Sequence, residues 1–112
     1  MNPQQRKDAI RAWKERTPVW GAFAVRCHAS GEAWVGSSPN LPAASNSIWF
    51  SLRAGLHREK AMQDAWNAHG EQSFSFESLE QFEDEANPIT LRDDLKELKR
   101  KWAARLAAPT LL

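Results

Sequence analysis

Two short runs decide the fold of this 112-residue chain: Gly21-Ala22-Phe23 and Trp34-Val35-Gly36-Ser37-Ser38. The first lies within residues 19–27, where apolar and aromatic side chains alternate with others as they do in a β-strand. Residues 32–36 predict a shorter return strand, and His28-Ala29-Ser30-Gly31 between the two is typical of a turn. The pair therefore predicts a β-hairpin.

Two helices are expected after the hairpin, beyond a loop at residues 37–41. The first is predicted from Pro42 to Arg53, because proline suits a first helical turn and Gly55 supplies a stop. The second is predicted from Arg58 to Ala68 and is closed by His69-Gly70. Both helices thus lie in the chain between the hairpin and the next strand.

The remainder of the chain predicts a strand, a loop and a last helix. The clearest strand pattern is the strict alternation Ser73-Phe74-Ser75-Phe76-Glu77-Ser78-Leu79. An acidic segment ending at Asn87-Pro88 is expected to be a loop. The sequence Thr90-Leu91-Arg92-Asp93 has the form of a helix cap with an acidic third residue, and it predicts a helix to about Leu106.

Ahead of the hairpin, residues from about Pro3 to Arg16 predict a further helix, which Thr17-Pro18 ends. We therefore divide the chain into an N-terminal helical extension at residues 1–18 and one domain at residues 19–108. The order of elements in that domain is ββααβα. It predicts a mixed fold of helices and strands, α/β in the broad sense and α+β in the strict one. In this fold, helices flank a small, mostly antiparallel sheet of three strands.

The composition is that of an ordinary globular domain. Hydrophobic residues make up 42% of the chain and charged residues 26%, which argues against disorder. The single Cys27 excludes an internal disulfide and a cysteine-rich zinc site. No apolar run approaches the ~20 residues of a membrane span, and the polar start has no signal-peptide core. We expect a cytoplasmic protein with no membrane partner.

The net charge of +1 gives little indication of the partner, but the positions of the charged residues along the chain are more informative. Basic side chains cluster near both ends of the chain, at Arg6, Lys7, Arg11, Lys14 and Arg16 and again at Lys96, Lys99, Arg100, Lys101 and Arg105. Acidic side chains lie between them, at Glu77, Glu80, Glu83, Asp84 and Glu85. This arrangement permits a nucleic-acid-binding surface without requiring one.

The two hairpin runs open a series of short motifs that resembles the GIY-YIG endonuclease family. The later motifs are Leu56-His57, Gln63, Trp66-Asn67, His69-Gly70-Glu71 and the strand Phe74-Ser75-Phe76-Glu77. The series covers roughly residues 20–106 and looks most like the catalytic domain of phage-type homing endonucleases. The resemblance implies the same small sheet covered by helices, preceded here by the added N-terminal helix.

The family implies phosphodiester cleavage with one divalent metal ion, Mg²⁺ or Mn²⁺. Such chemistry needs a proton acceptor, a stabiliser of negative charge and a hard oxygen ligand for the metal. The two family tyrosines align with Phe23 and with Trp34, whose indole donates one hydrogen bond or stacks on a base but cannot act as a base.

The other family positions are altered as well, with one exception. The positions of an arginine and of a homing-branch histidine hold Ala44 and Ile48, and the metal-binding glutamate aligns with Lys99. Only His57 matches a functional position. The resemblance therefore implies the fold together with a degenerate active site.

Neighbouring side chains are poor substitutes for the missing groups. Helix geometry places Lys99 at the edge of an apolar stripe, Glu97 on the solvent side, and Arg53 about 180° from Ala44. A lysine would oppose a nearby divalent cation, since two unit charges 4 Å apart interact by about 4 kcal/mol at an effective dielectric of 20. We therefore expect no metal ligand set and no cofactor, with Mg²⁺ or Mn²⁺ required only by an active enzyme.

The sequence favours a protein that binds nucleic acid, with DNA as the expected partner, and whose cleavage is lost or weakened. The expected contacts with nucleic acid are Arg26, Ser37, Arg92 and Lys99. Two alternatives stay open: an active metal-dependent endonuclease rearranged around His57 and Ser47, and a protein-interaction module that exposes tryptophans. The sequence leaves the oligomeric state open.

Overall fold

The computed structural model describes residues 19–111, so the helix predicted in the N-terminal extension lies outside the described residues. The strands are Trp20–Cys27 (β1), Glu32–Ser38 (β2) and Phe74–Phe82 (β3). The helices are Leu41–Arg53 (α1), Lys60–His69 (α2) and Leu91–Leu106 (α3), and a 3₁₀ turn, Glu71–Ser73, precedes β3. This order is the ββααβα order predicted for the domain.

The strands form one antiparallel sheet with β1 in the middle. The order across the sheet is β2-β1-β3, and the hairpin pairs Val25 with Trp34. Its turn closes at Gly31, whose φ is +78° and whose amide donates to the Cys27 carbonyl at 2.9 Å. The predicted α+β fold with a three-stranded sheet is thereby confirmed.

The two faces of β1 carry side chains of different size. Phe23, Val25 and Cys27 point to one face and join the core that α1 and α2 complete. Ala22 and Ala24 point to the other face and are fully buried. Helix α3 packs against β1 and β2 and contributes no residue to that core, so the small alanines lie on the side that α3 covers.

Local residues determine where α1 begins and where α2 ends. The side chain of Asn40 accepts a hydrogen bond from the amide of Ala43 at 3.1 Å and caps α1, with Pro42 in the first turn. Gly70, with φ of +83°, ends α2 as the sequence predicts. No helix within residues 19–111 has the length and apolar character of a membrane span.

Strand β3 runs to Phe82 and so extends beyond the predicted end at Leu79. The expectation that the acidic segment forms a loop is therefore wrong for its first part. Glu80 pairs with Ala22 of β1, and its carboxylate accepts from Trp102 Nε1 at 2.8 Å and pairs with Lys101 Nζ at 2.6 Å. At the end of β3 the ring of Phe82 stacks on Trp20, with centroids 4.5 Å apart.

The predicted cap of the last helix is also different in the structure. Thr90 is the N-cap residue, but its backbone is helical and its side chain makes no capping bond. The Thr90 hydroxyl instead donates to the Asp94 carboxylate at 2.9 Å. A helical φ and ψ turn the hydroxyl away from the free amides of the first turn, so the expected capping box does not form.

Replacing Gly21 by alanine should destabilise the protein more than the same replacement at Gly31. Both glycines have positive φ, +153° and +78°, which costs an alanine about 1–3 kcal/mol. At Gly21 the new Cβ would also lie 2.0 Å from the Glu80 carbonyl oxygen, whereas nothing in residues 19–111 lies within 4 Å of it at Gly31. We expect urea denaturation to show a further loss of about 1–3 kcal/mol in Gly21→Ala. Equal losses would contradict the close approach of β1 to β3.

Candidate functional site

A pocket of about 430 Å³ opens beside the hairpin and is lined by residues from four parts of the fold. These parts are the β1–β2 hairpin, α1 with the loop that follows it, α3, and the chain after α3. The lining residues are Phe23, Gly36, Ser37, Ser38, Ala44, Ser47, Ile48, Ser51, Leu56, His57, Arg58, Glu59, Lys99 and Leu111. The volume falls in the range of small-ligand sites, about 300–1,000 Å³.

The ring of Phe23 gives the pocket an apolar wall. It is 4% exposed and stacks on Phe76 with centroids 4.7 Å apart. It also fills the space over Gly36, where an added Cβ would lie 2.4 Å from the Phe23 Cζ atom. The wall formed by Phe23 therefore has a fixed shape and presents no hydroxyl to a ligand.

Trp34 does not line this pocket. Its side chain is 2% exposed and lies nearly parallel to Phe74, with ring centroids 6.3 Å apart. An indole buried to this extent cannot stack on a base without rearrangement of the core. Trp34, which the resemblance aligns with a tyrosine of the family, is therefore a core residue and not a residue of the pocket.

Main-chain contacts fix the position of His57. Its amide donates to the Oε1 atom of Gln63 at 3.0 Å, and its ring Nδ1 accepts from the amide of Glu59 at 3.0 Å. Gln63 is buried, and its side-chain nitrogen also donates to the Leu52 carbonyl and to Asn67 Oδ1, each at 3.1 Å. The loop between α1 and α2 is therefore tied to both helices.

These contacts determine what the His57 ring offers a ligand. Because Nδ1 accepts a hydrogen bond, a neutral ring must carry its proton on Nε2. Burial lowers the pKa of His57 below its ordinary value of 6.5, against the opposing effect of Glu59. At neutral pH the ring is therefore a neutral hydrogen-bond donor at Nε2, and neither of its nitrogens is available as a base.

Lys99 brings a positive charge to the pocket wall. Its side chain is half-buried, and Nζ donates to the main-chain carbonyl of Leu111 at 3.1 Å. Within residues 19–111 it forms no ion pair with a carboxylate. Its charge is therefore not neutralised by an acidic side chain of the described chain, and the exposed Arg58 adds a second cation to the lining.

Three of the serine hydroxyls in the lining are engaged within the protein. Ser37 donates to the Leu95 carbonyl at 2.7 Å, and Ser51 donates to the Ile48 carbonyl at 3.0 Å. Ser38 donates to the Asn40 carbonyl at 3.0 Å. The exposed Ser47 makes no side-chain hydrogen bond with residues 19–111, so its hydroxyl is the one left for a ligand.

The lining does not suit a divalent metal ion. Hard cations such as Mg²⁺ prefer several oxygen ligands, with carboxylates foremost. Glu59 is the one carboxylate among the described lining residues, and it shares the pocket with Lys99 and Arg58. No group of three His, Cys, Asp or Glu side chains within residues 19–111 is arranged to hold a metal. The residues present therefore do not fit the metal that the resemblance implies.

The structure brings together most of the residues that the sequence analysis singled out. The pocket lining includes Phe23, Ser37, Ala44, Ser47, Ile48, His57 and Lys99. Arg26 lies elsewhere, in an ion pair with Glu77 at 2.8 Å, and the exposed Arg92 is also outside the lining. Any contact these two arginines make with nucleic acid would be outside the pocket.

Two further side chains behave as helix geometry predicts. Arg53 forms an ion pair with Glu71, and Glu97 forms one with Arg100 at 3.1 Å. Neither lines the pocket, so neither is placed to contact a ligand bound there.

Sequence reasoning missed three lining residues: Arg58, Glu59 and Leu111. The sequence did contain a signal for Arg58 and Glu59, because both directly follow His57. Leu111 had no such signal, since its place depends on the chain returning to β2 after α3.

Two solved structures of homing endonuclease domains have this fold. The catalytic domain of homing endonuclease I-TevI matches with a TM-score of 0.68 and 21% sequence identity, over 83% of this chain and 98% of that chain. A mutant of the catalytic domain of intron endonuclease I-TevI matches with a TM-score of 0.66 and 21% identity, over 80% and 84%. The GIY-YIG-like fold expected from the sequence is thereby confirmed. No protein-family model and no curated protein matches the sequence.

An NMR titration is expected to give the His57 ring a pKa below 6.5, because burial disfavours its charged form. At neutral pH its ¹⁵N shifts should be those of a ring protonated at Nε2. The unfolded chain binds this proton more readily than the folded chain, so the stability contributed by the neutral ring is lost as pH falls below 6.5.

The His57→Gln variant is the matched control for this titration. It should lack the assigned ring signals, and its free energy of unfolding should depend less on pH below 6.5 than that of the wild type. A ring protonated at Nδ1 in the neutral form, or a pKa above 6.5, would contradict the geometry described for this site.

Proposed function

From the fold that it shares with a homing endonuclease catalytic domain, we propose that this chain binds nucleic acid, with DNA as the ligand, and that its phosphodiester cleavage is lost or weakened. The observation that carries the proposal is the half-buried ammonium of Lys99 in the pocket wall. The resemblance in sequence aligns this position with an acidic metal ligand. A cation here favours a phosphate directly and disfavours a divalent metal.

The donors of the pocket support binding of a phosphate group. Lys99 and Arg58 supply positive charges, the neutral ring of His57 supplies an N–H, and Ser47 supplies a hydroxyl. Hydrogen bonds from charged nitrogen to phosphate are shorter and stronger than neutral ones, and a guanidinium binds phosphate through two parallel bonds. These groups line one cavity and share a preference for anionic oxygen.

The same pocket is poorly equipped for hydrolysis. Phe23 has no hydroxyl with which to activate water, and both nitrogens of His57 are unsuited to act as a base at neutral pH. Glu59 is the one carboxylate in the described lining, which it shares with the two cations Lys99 and Arg58. Metal-dependent hydrolysis of the kind that the resemblance implies needs a base and a metal at the same phosphate. This lack supports lost or weakened cleavage.

No observation favours the two other functions considered from the sequence. An active endonuclease centred on His57 and Ser47 would still lack, within residues 19–111, a group of three His, Cys, Asp or Glu side chains to hold its metal. A protein-interaction module would expose tryptophans, yet every tryptophan within the described residues is buried or half-buried. Nucleic-acid binding is therefore the function to be tested first.

Lys99→Gln should weaken DNA binding about tenfold, or about 1.4 kcal/mol, because it removes an ammonium from the phosphate. The matched control is Lys96→Gln, which makes the same charge change at an exposed position of α3 outside the pocket. Fluorescence anisotropy with single-stranded and duplex DNA should be measured at several salt concentrations. The slope of the logarithm of the binding constant against the logarithm of the salt concentration is expected to be smaller in magnitude by about 1 for Lys99→Gln than for the wild type. Equal effects of the two substitutions would contradict the proposal.

Mn²⁺ is not expected to bind beside His57 in the wild type. Paramagnetic broadening of the His57 ring signals should therefore be no greater than that of exposed side chains, and DNA should be cut slowly or not at all with Mg²⁺ or Mn²⁺. Lys99→Glu places a second carboxylate in the lining, so Mn²⁺ should broaden the His57 ring signals more than those of exposed side chains. Lys96→Glu should not have this effect. Metal-dependent cutting by the wild type would show that the pocket uses ligands other than those described.

A further inference from the structure

After α3 the chain turns back toward the pocket. We call residues 107–111 the C-terminal strap. Ala107 makes the turn in a left-handed conformation, with φ of 50°, and the amide of Ala108 donates to the Ala103 carbonyl at 3.0 Å. The strap therefore leaves the helix in a defined direction, toward the outer edge of β2.

The strap covers the free edge of β2. The amide of Val35 donates to the Pro109 carbonyl at 2.9 Å, and the Val35 carbonyl accepts from the amide of Leu111 at 2.7 Å. Thr110 thereby forms a parallel bridge with Val35. Because β2 is an edge strand, these main-chain groups of Val35 have no partner within the three-stranded sheet. The strap supplies that partner.

Leu111 joins the strap to the pocket. Its side chain is 7% exposed, belongs to the core and forms part of the pocket wall. Its main-chain carbonyl accepts the hydrogen bond from Lys99 Nζ at 3.1 Å. The same residue thus narrows the pocket and engages the ammonium to which we assign phosphate binding.

We propose that the C-terminal strap is an autoinhibitory segment, in which the Leu111 carbonyl competes with a phosphate of nucleic acid for Lys99. When the strap leaves the edge of β2, the pocket opens along that edge and the ammonium turns to the ligand. The proposal rests on the proposed function, since it describes the regulation of the same site.

The contacts that hold the strap are few enough for it to open. The strap is held by two main-chain hydrogen bonds, the contact with Lys99 and the buried side chain of Leu111. These contacts must offset the conformational entropy that five residues lose when the strap docks. A chain segment with so few contacts opens locally at a much lower free energy than the whole fold. An anionic oxygen accepts a stronger hydrogen bond from an ammonium than a neutral carbonyl does, so a phosphate can displace it.

Linkage makes the effect reciprocal. If the strap weakens the binding of nucleic acid, then nucleic acid must weaken the docking of the strap by the same factor. Amide exchange at Leu111, whose N–H is bonded to Val35, reports the docking directly and does not depend on a change in affinity.

The test compares the affinity of the full chain for single-stranded and duplex DNA with that of three variants. Deletion of residues 109–112 should raise the affinity about tenfold, within the usual range of coupling between sites. Leu111→Ala, which shortens the buried side chain, should raise it in the same direction by a smaller factor. Thr110→Ala is the control, because it changes an exposed side chain and keeps both main-chain bonds of the strap.

Two further measurements keep the test decisive. The gain from deletion should disappear in the background of Lys99→Gln, since the strap acts through that ammonium. In the wild type, a saturating DNA oligonucleotide should speed exchange of the Leu111 amide and leave that of Val25 in the central strand unchanged. If the deletion variant does not fold, as judged by circular dichroism, Leu111→Ala and the exchange experiment carry the test.

The outcomes separate the two proposals. If the wild type binds DNA but deletion leaves the affinity unchanged or lowers it, the strap proposal is overturned and the proposed function stands. If neither protein binds any nucleic acid, the proposed function fails, and autoinhibition of that function fails with it. Binding by the deletion variant alone would be the strongest support for both.

Discussion

The pairing of β1 with both of its neighbours is the constraint on which the rest of the structure depends. Along this central strand, large side chains face α1 and α2 while Ala22 and Ala24 face the side that α3 covers. Small side chains let the helix lie close to the sheet, and the Ser37 hydroxyl reaches the Leu95 carbonyl at 2.7 Å. Lys99, one turn further along α3, is thereby brought into the wall of the pocket that Phe23 also lines.

Most of the architecture was predictable from local patterns, because hairpin alternation, helix stops and turn glycines act over a few residues. The β1–β2 hairpin, the end of α2 at Gly70 and the placement of Lys99 at a helix edge are examples. The end of β3 was not predictable in this way. An acidic run is typical of a loop, whereas Glu80 pairs with Ala22 of β1 and its carboxylate contacts Trp102 and Lys101 of α3, which are tertiary contacts that no local pattern shows.

The site was predictable to the extent that the family resemblance aligned its residues. His57, Ala44 and Lys99 do meet in one pocket, but the protonation state of His57 depends on an amide bond from Glu59 that no spacing reveals. The burial of Trp34 against Phe74 is likewise a tertiary fact. What the geometry adds is the setting of Lys99, whose ammonium lies in the wall of this pocket and contacts the carbonyl of Leu111.

The bonds made by Gln63 explain how a pocket can keep its form while its chemistry changes. This buried amide holds the loop through main-chain atoms, the carbonyl of Leu52 and the N–H of His57, and not through the loop's side chains. Residues such as Arg58 and Glu59 are therefore free to vary without altering the path of the backbone. In evolutionary terms, a domain held in this way can exchange the side chains around its pocket one at a time and keep its backbone and its stability.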